Sequence, residues 1–285
     1  MAPSRRIVVM IPTLNEGLSL GKVIDGIPRA ELEAMGFGLD VIVVDGKSKD
    51  DTIEVATSRG AKVYIQNGKG KGAGVRQAFS LSHPQEVVLR ALSTNQGVQN
   101  DLSSLSALLD SQYLVMLDGD GTYPSNYVLD VVHTLESGCD IVMGSRFKGE
   151  IRSGAMSRLN YLGNLGLSAV ASVIYLHPCS DLCTGLWGFR LDAIRSMSLD
   201  SVRFELEAEM FAVSVRNRLR IKELPIIYLP REGETKLVPI NSGFMIFRKL
   251  IQRRWVGANT QDKFTGDPDL DLYRINNSVR PKQEM

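Results

Sequence analysis

The sequence predicts an α/β protein: a mostly parallel central sheet with helices on both faces. Two observations lead there. Short β-branched runs alternate with helix-period segments through the first half of the chain. The strand candidates are apolar throughout rather than alternating, as strands buried on both faces require. At 285 residues the chain is long enough for a substantial core.

In order, the strand candidates are 6–11, 41–44, 62–66, 113–117 and 140–144, and between them 18–27, 52–58, 73–81 and 126–136 read as helices. Gly60 stops the second helix and Pro124 lies beside the start of the fourth. Segment 82–111, with its polar stretch 93–100, breaks the rhythm and reads as a surface excursion. Residues 257–285 are polar, with little to bury, and read as a loosely ordered tail. The main unit is thus 1–236, followed by an amphipathic segment, 237–256.

Composition narrows the function. A formal net charge of +1 argues against a nucleic-acid-coating protein, so any anionic partner must be met by locally placed Arg and Lys. Cys139, Cys179 and Cys183 are too few for a disulfide framework and lack metal spacing, so they read as buried thiols. His83, His133 and His177 have no partner at metal or triad spacing. The first apolar run is too short for a secretory segment, and no run reaches the ~18–20 apolar residues of a membrane span. A cytoplasmic protein is expected. Two segments nevertheless have a surface-seeking character: 162–176 is uncharged, and 239–256 mixes Phe244, Phe247 and Trp255 with Arg248, Lys249, Arg253 and Arg254. The pattern fits a helix lying in a lipid headgroup layer and a helix capping the core equally well.

The sharpest chemical signal is Leu117-Asp118-Gly119-Asp120-Gly121, directly after a strand. Parallel sheets present ligand sites at the carboxyl ends of their strands. Two carboxylates there suit a hard divalent cation completed by phosphate oxygens. Asp and Gly also favour turns, so the motif gains weight from its neighbours. The first strand runs into Pro12-Thr13-Leu14-Asn15-Glu16 and the second into Asp45-Gly46, on the same sheet edge. An Asp there can accept hydrogen bonds from a nucleobase or ribose. Asp50 or Asp51 reads better as a helix N-cap. The run 68–74, with Lys69 and Lys71 among glycines, opens a helix; it matches neither a P-loop nor a dinucleotide fingerprint but suits an anion such as a diphosphate.

Pro-Thr-Leu-Asn-Glu at 12–16, Val-Asp-Gly-Lys-Ser-Lys-Asp-Asp-Thr at 44–52, Gly-Lys-Gly at 70–72, Leu-Asp-Gly-Asp-Gly-Thr at 117–122 and Gly-Ser-Arg-Phe at 144–147 together resemble glycosyltransferase family 2. The branch they are most similar to is the polyprenyl-phosphate (dolichol-phosphate) mannose and hexose synthases. The resemblance continues through 181–189, 204–210, 224–228 and 231–237, about 240 residues in order. It implies a GT-A-type nucleotide-diphosphosugar transferase fold. It also implies an inverting, metal-dependent transfer of a hexose from a UDP- or GDP-linked sugar to polyprenyl or dolichyl phosphate, with peripheral membrane contact possible. By that analogy Pro12, Glu16 and Asp45, with Thr13 and Asn15 beside them, hold the nucleoside. Lys69, Lys71 and Gly119 lie by the diphosphate. Asp118 and Asp120 hold Mg²⁺ or Mn²⁺, with Thr122 at a third metal position where the mannose synthases often carry Gln. Arg146 meets the acceptor phosphate, with Arg158 as the second acceptor-side arginine and Ser157 also binding the acceptor, while Arg231 and Lys236 neutralise the leaving diphosphate.

A phosphate acceptor is already anionic at neutral pH and needs no general base. A hydroxyl acceptor would need one, and Glu205, Glu207 and Glu209 offer it unless they form the solvent side of a helix. A non-catalytic nucleotide-sugar-binding protein on the same fold is the third reading.

Overall fold

The computed structural model describes residues 5–83, 110–233 and 239–255, with side chains of 239–241 left aside. Most of the 82–111 excursion, Lys236 and the tail lie outside the described residues. Seven strands form one sheet: β1 (Arg5–Thr13), β2 (Phe37–Asp45), β3 (Lys62–Ile65), β4 (Tyr113–Met116), β5 (Ile141–Ile151), β6 (Trp187–Arg190) and β7 (Ile221–Tyr228). Their order is β3-β2-β1-β4-β6-β5-β7. All neighbouring pairs are parallel except those of β6, which runs antiparallel between β4 and β5.

Among the described residues the helices are α1 (Gly17–Asp25), α2 (Arg29–Ala34), α3 (Thr52–Ser58), α4 (Lys71–Ser80), α5 (Tyr127–Glu136), α6 (Arg158–Tyr175), α7 (Leu191–Arg195), α8 (Leu206–Arg216) and α9 (Pro239–Trp255). Alternate residues of β1 feed opposite cores. Ile7, Val9 and Ile11 pack with Leu20, Val23 and Ile24 of α1 and with Val128, Val131 and Leu135 of α5. Val8 and Met10 face Val75, Ala78 and Phe79 of α4 and a layer that includes Phe211 of α8 and Leu250 of α9. Continuous apolar runs therefore read correctly as strands covered on both faces, each fully buried Ile or Leu contributing roughly 1.5–3 kcal/mol.

Several elements differ from expectation. β2 begins at Phe37, four residues early, because Arg5–Thr13 offers a full parallel ladder. β5 runs on to Ile151, supported by β7 through a register shift between Ser145 and Glu150. Helix α2 is too short for periodicity to mark, and β6, Trp187-Gly188-Phe189-Arg190, lacks the β-branched residues that mark β3 and β4. Residues 162–175 and 239–255 of the two surface-seeking segments fall in α6 and α9, which pack on each other and on α8. Leu250 and Ile246 are buried, while Leu162, Val173, Leu176, Phe244 and Trp255 stay at least 66% exposed. Each helix therefore caps the core with one side and presents large apolar side chains on the other.

Candidate active site

The carboxyl ends of β1, β2 and β4 open into a cleft of about 980 Å³. Of the residues singled out above, Pro12, Thr13, Glu16, Lys69, Lys71, Asp118, Gly119, Asp120, Arg146 and Arg231 line it. The cleft continues past Ala155, Leu159, Asn160, Gly163 and Asn164 to Phe244 and Ile246, joining the strand ends to the space between α6 and α9.

Strand β4 ends as Leu117 N donates to Met10 O, and the D-x-D turn follows. Ser19 Oγ donates to Gly119 O at 2.7 Å and pins the turn to α1. Asp120 is buried, and its Oδ1 accepts from Thr122 N at 3.1 Å and Thr122 Oγ1 at 2.6 Å. Burial, and then the neighbouring charge of Asp118, push the Asp120 carboxyl above its ordinary value. Thr122 is itself buried and outside the cleft lining, so its hydroxyl orients Asp120.

Two cations meet these carboxylates. Lys71 Nζ lies 2.6 Å from Asp118 Oδ1 and 2.7 Å from Glu207 Oε1. Burial alone would lower the Lys71 pKa, but Asp118 and Glu207 more than reverse this and hold the ammonium firmly protonated. Arg231, from the segment after β7, places Nη2 2.6 Å from Glu16 Oε1 and Nη1 3.3 Å from Asp120 Oδ2. Around the D-x-D, four cleft-lining carboxylates (Glu16, Asp118, Asp120, Glu207) thus face Lys71 and Arg231. Among the described residues no cluster of three or more His, Cys, Asp or Glu forms a complete cage. Two carboxylates completed by ligand oxygens suit Mg²⁺ or Mn²⁺.

At the end of the cleft formed by β1 and β2, the loops after these strands are laced together. Asp45, fully buried, accepts from Ser48 N at 2.8 Å, Ser48 Oγ at 2.5 Å and Thr13 Oγ1 at 3.2 Å, and it lies behind the cleft lining. Asn15, at φ +51°, takes Lys49 N on its Oδ1 and gives its own N–H to Ser48 Oγ. Asp50 accepts from Thr52 N and Gly17 N, both at 3.1 Å, and so serves the starts of α3 and α1 together. Asn15 and Asp45 therefore shape the loops that carry Thr13 and Glu16.

Arg146 of β5 is buried in the cleft wall. Its Nε lies 2.7 Å from Asp181 Oδ2 and its Nη2 2.6 Å from Asp181 Oδ1, while Nη2 also donates to Cys183 O at 3.1 Å. The guanidinium carbon sits 5.0 Å from the Tyr228 ring centre. Ser157 is the N-cap of α6, accepting from Asn160 N, and Arg158 is exposed and outside the lining. The polar side chains that α6 turns to the cleft are Asn160 and Asn164.

Sequence reasoning missed the partners. Asp181 and Gly185 lie in a motif quoted for its resemblance, yet nothing local marks Asp181 as the mate of Arg146. The solvent-side expectation for Glu205, Glu207 and Glu209 is corrected, since all three are buried. Glu209 accepts from Ser201 N at 2.8 Å and Arg253 Nε at 2.6 Å, and only Glu207 reaches the cleft.

A family profile described as Glycosyl transferase family 2 matches residues 8–89. Over 249 residues the chain is 32% identical to Glycosyltransferase AglJ of Haloferax volcanii, covering 87% of this chain and 71% of that protein. It is 29% identical to a Dolichyl-phosphate hexose transferase of the same organism, covering 86% and 92%. Glucosyl-3-phosphoglycerate synthase of Mycobacterium tuberculosis, solved with Mn²⁺, UDP and glucosyl-3-phosphoglycerate, superposes with a TM-score of 0.61 at 19% identity, over 87% of this chain and 80% of that one. That likeness establishes the GT-A fold. With these relatives and this strand-end cleft, the chain belongs to glycosyltransferase family 2 and is a glycosyltransferase.

Proposed function

We propose that the protein transfers a hexose from a nucleotide diphosphate sugar to a polyprenyl phosphate, inverting the anomeric centre by single displacement. The observation that carries this reading is the continuity of the cleft, polar and charged at the D-x-D, walled by Arg146, and mainly apolar, around Asn160 and Asn164, where it reaches α6 and α9. That sequence of surfaces matches an amphiphile with a phosphate head. The relative named as a dolichyl-phosphate hexose transferase supports the same acceptor class.

The loops holding Thr13 and Glu16 take the nucleoside, with UDP favoured over GDP, as in the superposed synthase. Asp118 and Asp120 hold Mg²⁺ or Mn²⁺ together with the donor's diphosphate, and when bound the cation supplies positive charge to the departing nucleoside diphosphate. Lys71 and Arg231 add fixed positive charge on the same side, as does Lys236 in this reading. Arg146 orients the acceptor phosphate, its geometry fixed by Asp181. The acceptor oxygen arrives anionic, so no side chain need remove a proton. Glu207, already paired with Lys71, is free of that duty, which weighs against a hydroxyl acceptor. The exposed apolar sides of α6 and α9 rest on the cytoplasmic face of a membrane, where such an acceptor resides. Among the described residues no helix is long and apolar enough to cross one.

The test is incubation of purified protein with radiolabelled UDP- and GDP-sugars, Mn²⁺ or Mg²⁺ and dolichyl phosphate in detergent. Label that enters the chloroform phase supports the reading. Label transferred only to soluble sugar hydroxyls overturns it.

A further inference from the structure

Lys71 is gripped by two carboxylates, and only one of them belongs to the D-x-D. The second, Glu207, opens α8 and is 6% exposed, and the Lys71 side chain is 16% exposed. The two are presented to each other by backbone docking. Gly70, at φ +98°, and Gly72 lie against residues 201–203, and a Cβ on Gly72 would come within 2.7 Å of Ser201 O and Val202 C. Ala73 N donates to Val202 O at 3.1 Å, so the start of α4 is clamped to the loop that leads into α8. Glu205 Oε1 accepts from Val202 N at 3.1 Å and stiffens that loop.

The consequence is one of charge. An ammonium 2.6 Å from Asp118 Oδ1 competes for the lone pairs a divalent cation would use, and it repels that cation. A nucleoside diphosphate reverses the sign, because its oxygens give Lys71 a second anion while they share the cation with Asp118 and Asp120. On the reading of the D-x-D given above, we propose that Lys71, anchored by Glu207, makes cation binding conditional on the nucleoside diphosphate. It weakens capture of the free cation and strengthens capture of the cation–diphosphate pair. Glu207 is then a positioning residue that keeps the ammonium within reach of the site.

Mn²⁺ binding to the full chain, followed by the electron paramagnetic resonance signal of free Mn²⁺ with and without saturating UDP, tests this. K71M is expected to bind Mn²⁺ alone about tenfold more tightly than wild type, and Mn²⁺ with UDP about tenfold more weakly, the scale of one charge-assisted contact. K71R keeps the charge and should follow wild type in sign. E207Q, which loosens the ammonium, should weaken the Mn²⁺–UDP complex. Because K71M leaves Glu207 buried without its counter-ion, K71M/E207Q carries the same two expectations should K71M fail to fold. Shifts of the same sign in both conditions, or none, overturn the proposal, and an unchanged E207Q overturns the anchoring role. If wild type itself binds no Mn²⁺ in the presence of UDP or GDP, the underlying reading of the D-x-D fails instead.

Discussion

The carboxylate of Asp118 rests directly on the backbone of Gly185: a Cβ at position 185 would lie 2.6 Å from Asp118 Cγ and 2.9 Å from Tyr123 Cε2. Gly185 N also donates to Tyr123 Oη at 2.7 Å, so the glycine cannot retreat without breaking that bond. G185A should therefore push Asp118 out of position. We expect turnover to fall about 100-fold with far-ultraviolet circular dichroism unchanged, a 1 Å displacement being enough for such a loss.

Asp118 and Asp120 differ in their company, Asp118 facing Lys71 and Asp120 facing Thr122 and Arg231. D118N and D120N should each lower kcat by about 10²–10³, the scale of removing one electrostatic stabiliser of the transition state. Steady-state transfer assays over a Mn²⁺ titration check this. Unchanged kcat in either variant at low Mn²⁺ would sink the assignment.

Arg231 spans Glu16 and Asp120, and so joins the loop after β1 to the D-x-D. R231M should lower kcat more than it raises KM for the donor. R231K should recover only part of the loss, since a lysine cannot reach both carboxylates as a fork does. Initial-rate kinetics against donor concentration separate the two effects.

Asp181 is fully buried, and Arg146 is nearly so. D181N would strand the guanidinium and should cost about 3–5 kcal/mol, read as a fall of roughly 10 °C in melting temperature. R146K, keeping a charge in place, should spare the fold better and raise KM for the lipid phosphate while leaving donor KM alone. Differential scanning fluorimetry and acceptor-dependent rates give the two readouts.

On the far side of the sheet edge, Asp140 accepts from Arg220 Nε at 2.9 Å and Nη2 at 2.8 Å. The Arg220 hydrogen bonds hold the Asp140 carboxyl below its ordinary 3.8. A depressed carboxylate adds stability that is present above the unfolded value and lost as pH falls through the folded one. D140N should thus melt slightly lower than wild type at pH 7, with the gap closing below about pH 3.8. The effect is small because Arg220 is exposed to solvent. Melting curves from pH 2.5 to 7 settle it.

The sequence by itself determined what is local. Apolar runs ending at Pro12, Asp45 and Asp118 marked β1, β2 and β4 and placed Glu16, Asp45 and the D-x-D on one edge, because burial on both faces and chain reversal are written in neighbouring residues. The tertiary structure alone decided who neutralises whom. Lys71 meets Glu207 136 residues away, Arg146 meets Asp181 across 35, and Arg231 meets Glu16 across 215. Such pairings depend on strand order, on the antiparallel β6 that follows Gly185 beneath Asp118, and on the docking of residues 201–203 against the Gly70 loop. None of these leaves a periodic trace in the chain. The same holds for α6 and α9, whose pattern promised one apolar side and whose packing settled which side chains stay outside.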